Sequence, residues 1–211
     1  MKIITKLLHI LFPVTCIVCS TGTIDLCQKC KEKFYRSERD IPDWITAVWS
    51  YKSIGMHDII VHIKKFPNVR LLSFLVSDIY SYLIYDLKQK NIILHKPIII
   101  PVPITKNRYY ERGYNQAEII ARTLWKQCHH ANLQTDTCIK NHDNKKQATL
   151  DKKLRMINTI GLFSVIKPKQ VQGRDILIVD DVTTTTATLG ALRTVLLEAG
   201  ARTVHAVTIA H

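Results

Sequence analysis

Residues 175–188 read DILIVDDVTTTTAT, and the order of residue types in this stretch decides the fold class. Ile176 to Val179 form a short apolar run of the kind found in a strand buried on both faces, and the run stops at two adjacent carboxylates, Asp180 and Asp181. Thr183 to Thr186 and Thr188 then supply hydroxyls and backbone N–H groups. Ala187 to Ala199 follows with helical spacing in Leu189, Leu192, Val195, Leu196 and Ala199. A strand, a polar turn and a helix start make a cradle for phosphate, because unsatisfied N–H groups and the positive end of the helix dipole both face the turn. The carboxylates cannot bind phosphate themselves, but they accept hydrogen bonds from vicinal hydroxyls. The stretch therefore fits a ligand with a diol at one end and a phosphate at the other, and a ribose 5-phosphate is such a ligand.

On these residues the segment resembles the phosphoribosyl pyrophosphate (PRPP) motif of the type I phosphoribosyltransferases, in which an apolar strand leads into two acids and then a Thr-Thr-Gly-x-Thr phosphate loop. The resemblance implies that Asp180 and Asp181 hold the ribose diol and any magnesium, with the loop of Val182, Thr183, Thr184, Thr185, Thr186, Ala187 and Thr188 around the 5-phosphate. The family glycine falls on Thr186, where a β-branched residue is costly if the loop needs positive φ, so a weakened loop is expected. The competing reading is a strand end followed by a threonine N-cap. Paired acids at a buried strand end are poorly explained by capping alone.

Near the other end, Cys16, Cys19, Cys27 and Cys30 form two C-x-x-C pairs separated by seven residues. Each pair places two thiolates on one cation from a single turn, and two such turns complete a tetrahedral zinc site with no open position for chemistry. Disulfides or a redox pair are the alternatives. Met1 to Val14 is apolar in patches, but Lys6 and His9 interrupt it and no small-residue cleavage site follows, so neither a signal peptide nor a membrane span is expected. A cytoplasmic setting would keep the thiols reduced and favours structural zinc. Cys128 and Cys138 stand outside the pattern, and the neighbours His129 and His130 do not make Cys128 a metal site without a further ligand.

With 211 residues, 46% of them hydrophobic, the chain holds one α/β domain plus a small appendage. The expected division is a cysteine module over residues 1–39 and a main domain over 40–211, with a linker near 36–43. Strands are expected through Tyr51, at Ile98 to Val102, Leu162 to Ile166, Ile176 to Val179 and Val204 to Ile209. Helices are expected at Leu71 to Leu87, apolar around nearly its whole circumference, and at Tyr114 to Gln127. This alternation predicts a mostly parallel sheet flanked by helices. Residues 140–155 are charged and read as an exposed mobile loop. Thirty Lys and Arg against seventeen Asp and Glu leave a formal charge of +13, which favours polyanionic partners.

The run PVPITKNRYYERGYNQAEIIARTL, with Pro101, Pro103, Arg108, Arg112, Gly113, Asn115 and Gln116, resembles the ComF family of phosphoribosyltransferase-like competence proteins. Three further stretches are similar to that family: LFPVTCIVC with the second cysteine pair, Tyr51 to Phe66 ending in Ile63-Lys64-Lys65-Phe66, and Gln147-x-x-Leu150 through Arg155, Asn158, Gly161 and Phe163. With residues 175–188 the resemblance covers nearly the whole chain. It implies a type I phosphoribosyltransferase-like fold and a role in DNA uptake during natural transformation, with competence proteins as partners.

Two functions follow from these residues. The first is phosphoribosyl transfer from PRPP with magnesium, the turn after Val102 meeting the diphosphate and Lys64, Lys65, Lys106, Arg108 and Arg112 as nearby cations. The second is a binding module without turnover, in which the same cations, interleaved with Tyr109, Tyr110 and Tyr114, form a groove for single-stranded DNA. A solvated basic surface is the plain alternative for these cations.

Overall fold

The computed structural model describes residues 14–22, 24–36, 41–142 and 161–211. In chain order, a short helix α1 (Gln28–Lys31) carries Cys30, the last of the four N-terminal cysteines. Strand β1 (Ile45–Trp49) is buried at every position. Helix α2 (Met56–Lys65) starts on Gly55, whose φ of 85° lies in the region glycine enters without steric cost. Helix α3 (Val69–Gln89) is capped by Asn68, whose side chain accepts the Leu71 amide at 2.9 Å. Strand β2 (Ile98–Pro101) leads to α4 (Lys106–Arg112) and α5 (Gln116–Trp125). Strands β3 (Asn132–Leu133), β4 (Cys138–Lys140) and β5 (Phe163–Val165) and helix α6 (Pro168–Val171) follow. Strand β6 (Asp175–Val182), helix α7 (Ala187–Glu198) and strand β7 (Thr203–Ala210) complete the order.

Five strands form one parallel sheet in the order β1-β7-β6-β2-β3, as the alternation of apolar runs and helical segments predicts. The pleat divides its side chains between two cores. Leu177 and Val179 join α2, α3 and α5 on one face, while Ile176 and Ile178 join α7 on the other. Burial on both faces explains why these strands read as continuous apolar runs rather than as alternating ones.

Two sequence expectations need correction. The strand at Leu162–Ile166 does not enter the parallel sheet: Phe163–Val165 pairs antiparallel with β4 in a separate two-stranded ribbon. A three-residue strand carries no signal for its partner, because pairing is set by distant packing. Helix α3 is not enclosed on all sides, for Phe74, Ile84 and Tyr85 are exposed while Leu71, Leu75, Ile79 and Leu83 are buried. Among the described residues its outer face mixes these apolar side chains with exposed Arg70, Ser73, Ser77, Ser81 and Lys88.

The cysteine module packs onto this domain, with Cys16, Leu26 and Cys30 in the same cluster as α2 and α3. Residues 37–40 of the expected linker, most of the expected loop at 140–155, and the motif residues Gln147, Leu150, Arg155 and Asn158 lie outside the described residues, as do residues 1–13. Among the described residues no helix is long and apolar enough to cross a membrane.

Candidate functional site

Strand order places a candidate site. From β2 the chain moves outward to β3, whereas from β6 it moves outward to β7, so the winding reverses between the adjacent strands β2 and β6. The crevice outside the carboxyl ends of two such strands is where open parallel sheets hold ligands. Here those ends carry the Pro101-Val102-Pro103 turn and the Asp180-Asp181 pair. The Val102 amide donates to the Val179 carbonyl at 2.9 Å, which sets the turn directly beside the acids.

The acids are adjacent but not equivalent. The pleat that carries Leu177 and Val179 to the α2 face carries Asp181 the same way. Asp181 is buried, and one of its oxygens, Oδ1, accepts the Val182 amide at 2.8 Å. The other, Oδ2, lies 3.2 Å from Lys64 Nζ at the end of α2, close enough for an ion pair but without hydrogen-bond alignment, so it has no hydrogen-bond partner. Asp180 keeps some accessible surface, and its Oδ1 turns back to accept the Asp181 amide at 2.9 Å. Burial, and then the neighbouring Asp181 charge, push the Asp180 carboxyl well above the usual carboxylate range, with Lys64 opposing them. A diol donating to these carboxylates, or a cation shared with them, relieves that crowding.

Beyond β6 the loop divides its threonines. Thr183 is buried and committed to the fold, its amide donating to the Ala210 carbonyl and its hydroxyl to the Thr185 carbonyl, both at 3.1 Å. Thr184 and Thr185 are exposed, and the first amides of α7 have no acceptor within their own helix. Thr186 has φ −69° and ψ −1°, so threonine is accommodated there without strain. The cost expected for a β-branched residue at this position does not arise.

The basic segment after the turn is helical, as pairing of Arg108 with Arg112 requires. Thr105 caps α4, accepting the Arg108 amide at 3.4 Å, and Gly113 ends it at φ 78°. Arg112 donates to Gln116 Oε1 at 2.9 Å. Lys106, Tyr109 and Tyr110 are exposed, whereas the Tyr114 hydroxyl donates to the Ile63 carbonyl at 2.7 Å. Tyr114 is thus a tie between the basic segment and α2, and only two of the three interleaved tyrosines are left to stack. Asn115 is a second tie, since it accepts the Ala117 amide at 3.0 Å and donates to the Val102 carbonyl at 3.0 Å. Sequence reasoning gave these two residues no positioning role. The asparagine just before an apolar helical segment was a usable capping signal.

The four N-terminal cysteines converge, with all their sulfurs within 4.8 Å of one another. Cys19 and Cys27 sulfurs are 3.8 Å apart, far beyond a disulfide bond and close to the edge of a tetrahedron of thiolates around zinc. The Thr21 hydroxyl and amide draw Cys19 down to about 6, while burial and then the neighbouring thiols push Cys30 up to about 12. Four thiolates cannot share so small a space without a central cation, which makes this donor set fit Zn²⁺. Among the described residues no other group of three or more ligating side chains converges. Cys128, beside its two histidines, is a half-buried thiol pushed up to about 11 by burial.

No protein-family model matches the chain. Curated relatives do. It is 33% identical over 103 residues to competence protein ComFC of Bacillus subtilis (strain 168), covering 49% of this chain and 39% of the relative. It is 34% identical over 108 residues to DNA utilization protein YhgH of Escherichia coli O157:H7, covering 50% of this chain and 45% of that protein. Over a longer stretch of 160 residues it is 28% identical to competence protein F of Haemophilus influenzae, covering 75% of this chain and 69% of the relative. The matched part thus spans less than half the length of ComFC and YhgH.

Proposed function

We propose that the chain, which is similar over part of its length to competence protein ComFC, DNA utilization protein YhgH and competence protein F, is a ComF-type protein that binds PRPP or a related phosphoribosyl ligand in the crevice between β2 and β6 and serves DNA uptake. One observation carries this reading: Asp181 Oδ2 is buried with the Lys64 ammonium 3.2 Å away but no hydrogen-bond partner, beside a crowded Asp180, at the point where the sheet reverses its winding. A buried carboxylate oxygen that has an ion-pair neighbour but no aligned donor retains acceptor capacity for a ligand hydroxyl. Asp180 and Asp181 would accept from the ribose hydroxyls and share a magnesium ion that rides on the diphosphate. The amides at the start of α7, with exposed Thr184 and Thr185, would take the 5-phosphate. The Pro101-Val102-Pro103 turn, held by Asn115, would face the diphosphate.

In a transfer reaction the protein's part is to hold the anomeric carbon in place and to stabilise the positive charge that builds on the ribose as diphosphate leaves. Carboxylates beside the ring suit that charge. Magnesium supplies neutralisation of the leaving diphosphate when it is bound.

Titration calorimetry with PRPP and Mg²⁺ tests the reading. The parent protein should bind, and Asp180→Asn combined with Asp181→Asn should abolish binding while the circular dichroism spectrum is kept. Unchanged affinity in the double variant would place the site elsewhere.

A second reading rests on a separate observation. Tyr109 and Tyr110 are 50% and 82% exposed on a helix that also carries Lys106, Arg108 and Arg112, a combination suited to single-stranded DNA. The two readings are compatible, because the acids stand on β6 and the tyrosines on α4.

A further inference from the structure

An apolar groove of about 540 Å³ runs beside the second half of α3. Pro97, immediately before β2, and Leu177, near the start of β6, both line it, so it opens at the opposite ends of these strands from Asp180 and Asp181. One wall is a helical stripe of Tyr80, Leu83, Ile84, Leu87 and Lys88, whose i, i+3, i+4, i+7, i+8 spacing sets all five on one side of α3 over about 12 Å. The other wall is made by two connections, residues 92–94 before β2 and 128–131 before β3. Hydrogen bonds fix both. The Ile92 amide donates to the Leu87 carbonyl at 2.8 Å, the His95 amide to Asp175 at 2.6 Å, and Trp125 Nε1 to the Ala131 carbonyl at 2.9 Å. The groove is therefore formed before anything enters it. Leu83, Leu87 and Leu177 are buried, whereas Ile84 is 49% and Ile93 71% exposed. An isoleucine held that far into water by a pinned connection gains when it is covered.

The charged lining has one sign. Lys88, His129 and His130 are exposed in it, and no Asp or Glu lines it. Asp86, the acid closest to Lys88 along α3, is held by Lys90 at 2.8 Å and by the Thr46 hydroxyl. We propose that this groove docks an acidic amphipathic helix of a partner protein, with its apolar face on the α3 stripe and its carboxylates against Lys88 and the two histidines. A stripe of this spacing receives a second helix by ridge-into-groove packing. Charge favours such an occupant over the chain itself. A second copy brings a formal charge of +13, and residues 1–13 carry Lys2, Lys6 and His9 without an acid, so both set like charge against Lys88. The proposal goes beyond the crevice and does not rest on any phosphoribosyl ligand.

The experiment selects from a library of random peptides, about 12 to 16 residues long to give about three to four helical turns, against the full chain. Enriched peptides should carry apolar residues at i, i+3, i+4 and i+7 with Asp and Glu between them. A synthetic copy of the most enriched peptide should bind the parent in fluorescence anisotropy and lose at least about tenfold in affinity on Ile84→Asp and on Ile93→Ser. Lys88→Glu should cost several-fold, and the loss should shrink as salt is raised. Methyl NMR shifts should fall on Ile84, Ile92, Ile93 and Leu94 and spare Ile100. Arg108→Ala with Arg112→Ala, beyond the other end of β2, should keep affinity within about twofold, which separates docking here from the general pull of a basic chain on acids. Ile93→Ser lies outside α3 and keeps the test intact if Ile84→Asp disturbs that helix. Selection of no peptide, of peptides without an acidic excess, or of peptides that bind all three groove variants like the parent overturns the proposal. A dimer that Ile84→Asp dissolves, or displacement of the selected peptide by a synthetic peptide of residues 1–13, would give the groove to the chain itself and overturns it as well.

Discussion

Thr186 shows how a single residue can be misjudged when its backbone is unknown. A threonine in place of a loop glycine implies strain only if φ is positive, and here φ is −69°. Thr186→Gly should therefore leave PRPP affinity no tighter and should lower stability by about 0.5 kcal/mol through the added freedom of the unfolded chain. Urea unfolding beside calorimetry checks both, and a tenfold gain in affinity would restore the idea of a weakened loop. Thr183 differs from its neighbours for a related reason. Its hydroxyl and amide are used within the fold, so the four threonines are not four equal phosphate ligands. Asp180 and Asp181 differ likewise, because adjacent residues of a strand start on opposite sides of it.

At the scale of elements, two short segments carry distinct expectations. Helix α4 presents Lys106, Tyr109 and Tyr110 outward. Single-stranded DNA should bind in preference to duplex, with a log–log salt slope of about −0.7 per phosphate contact. Arg108→Ala with Arg112→Ala should flatten that slope by roughly one to two contacts, and Tyr110→Ala should weaken binding with the slope kept. Fluorescence anisotropy across a salt series separates these outcomes; equal affinity for duplex and single strand would leave the charge of α4 as a surface property. The cysteine turns are the other segment. Elemental analysis should give one zinc per chain, and Cys16→Ser with Cys27→Ser should lose it. Zinc retained by that double variant would contradict a site built from all four thiols.

At the scale of the whole molecule, groups distant in the chain meet in buried polar contacts that govern its response to acid. His205 on β7 is buried against Thr46 on β1 at 2.8 Å, and Thr46 donates to Asp86, which pairs with Lys90 at 2.8 Å. Burial, and then the Lys90 charge, hold His205 down to about 4. A base with a lowered folded-state value contributes stability in full above the unfolded value near 6.5, and loses it as pH falls from there to about 4. Burial alone would raise Asp175, but hydrogen bonds from Arg202, the His95 amide and Thr203 hold it at about 2. Its contribution is therefore present above 3.8 and lost as pH falls toward 2. Asp180 runs the other way: its contribution falls as pH rises from the unfolded value through its raised midpoint. Urea unfolding at several pH values should show a loss on the order of 3 kcal/mol between pH 6.5 and 4, and His205→Gln should remove that step. An unchanged pH profile in the variant would assign the step to another group. None of this network is visible in sequence, where Thr46 and His205 stand 159 residues apart. What could be read without coordinates was local: apolar runs as strands, helical spacing, two cysteine pairs, and acids followed by threonines and a helix start. Period and spacing act over a few residues, so they survive in one dimension. The antiparallel place of Phe163–Val165, the exposed face of α3, the φ of Thr186, the Tyr114 tie and the meeting of Lys64 with Asp181 required the fold. Each depends on which distant surfaces pack together, and that is settled by the burial of the whole core rather than by any neighbour along the chain.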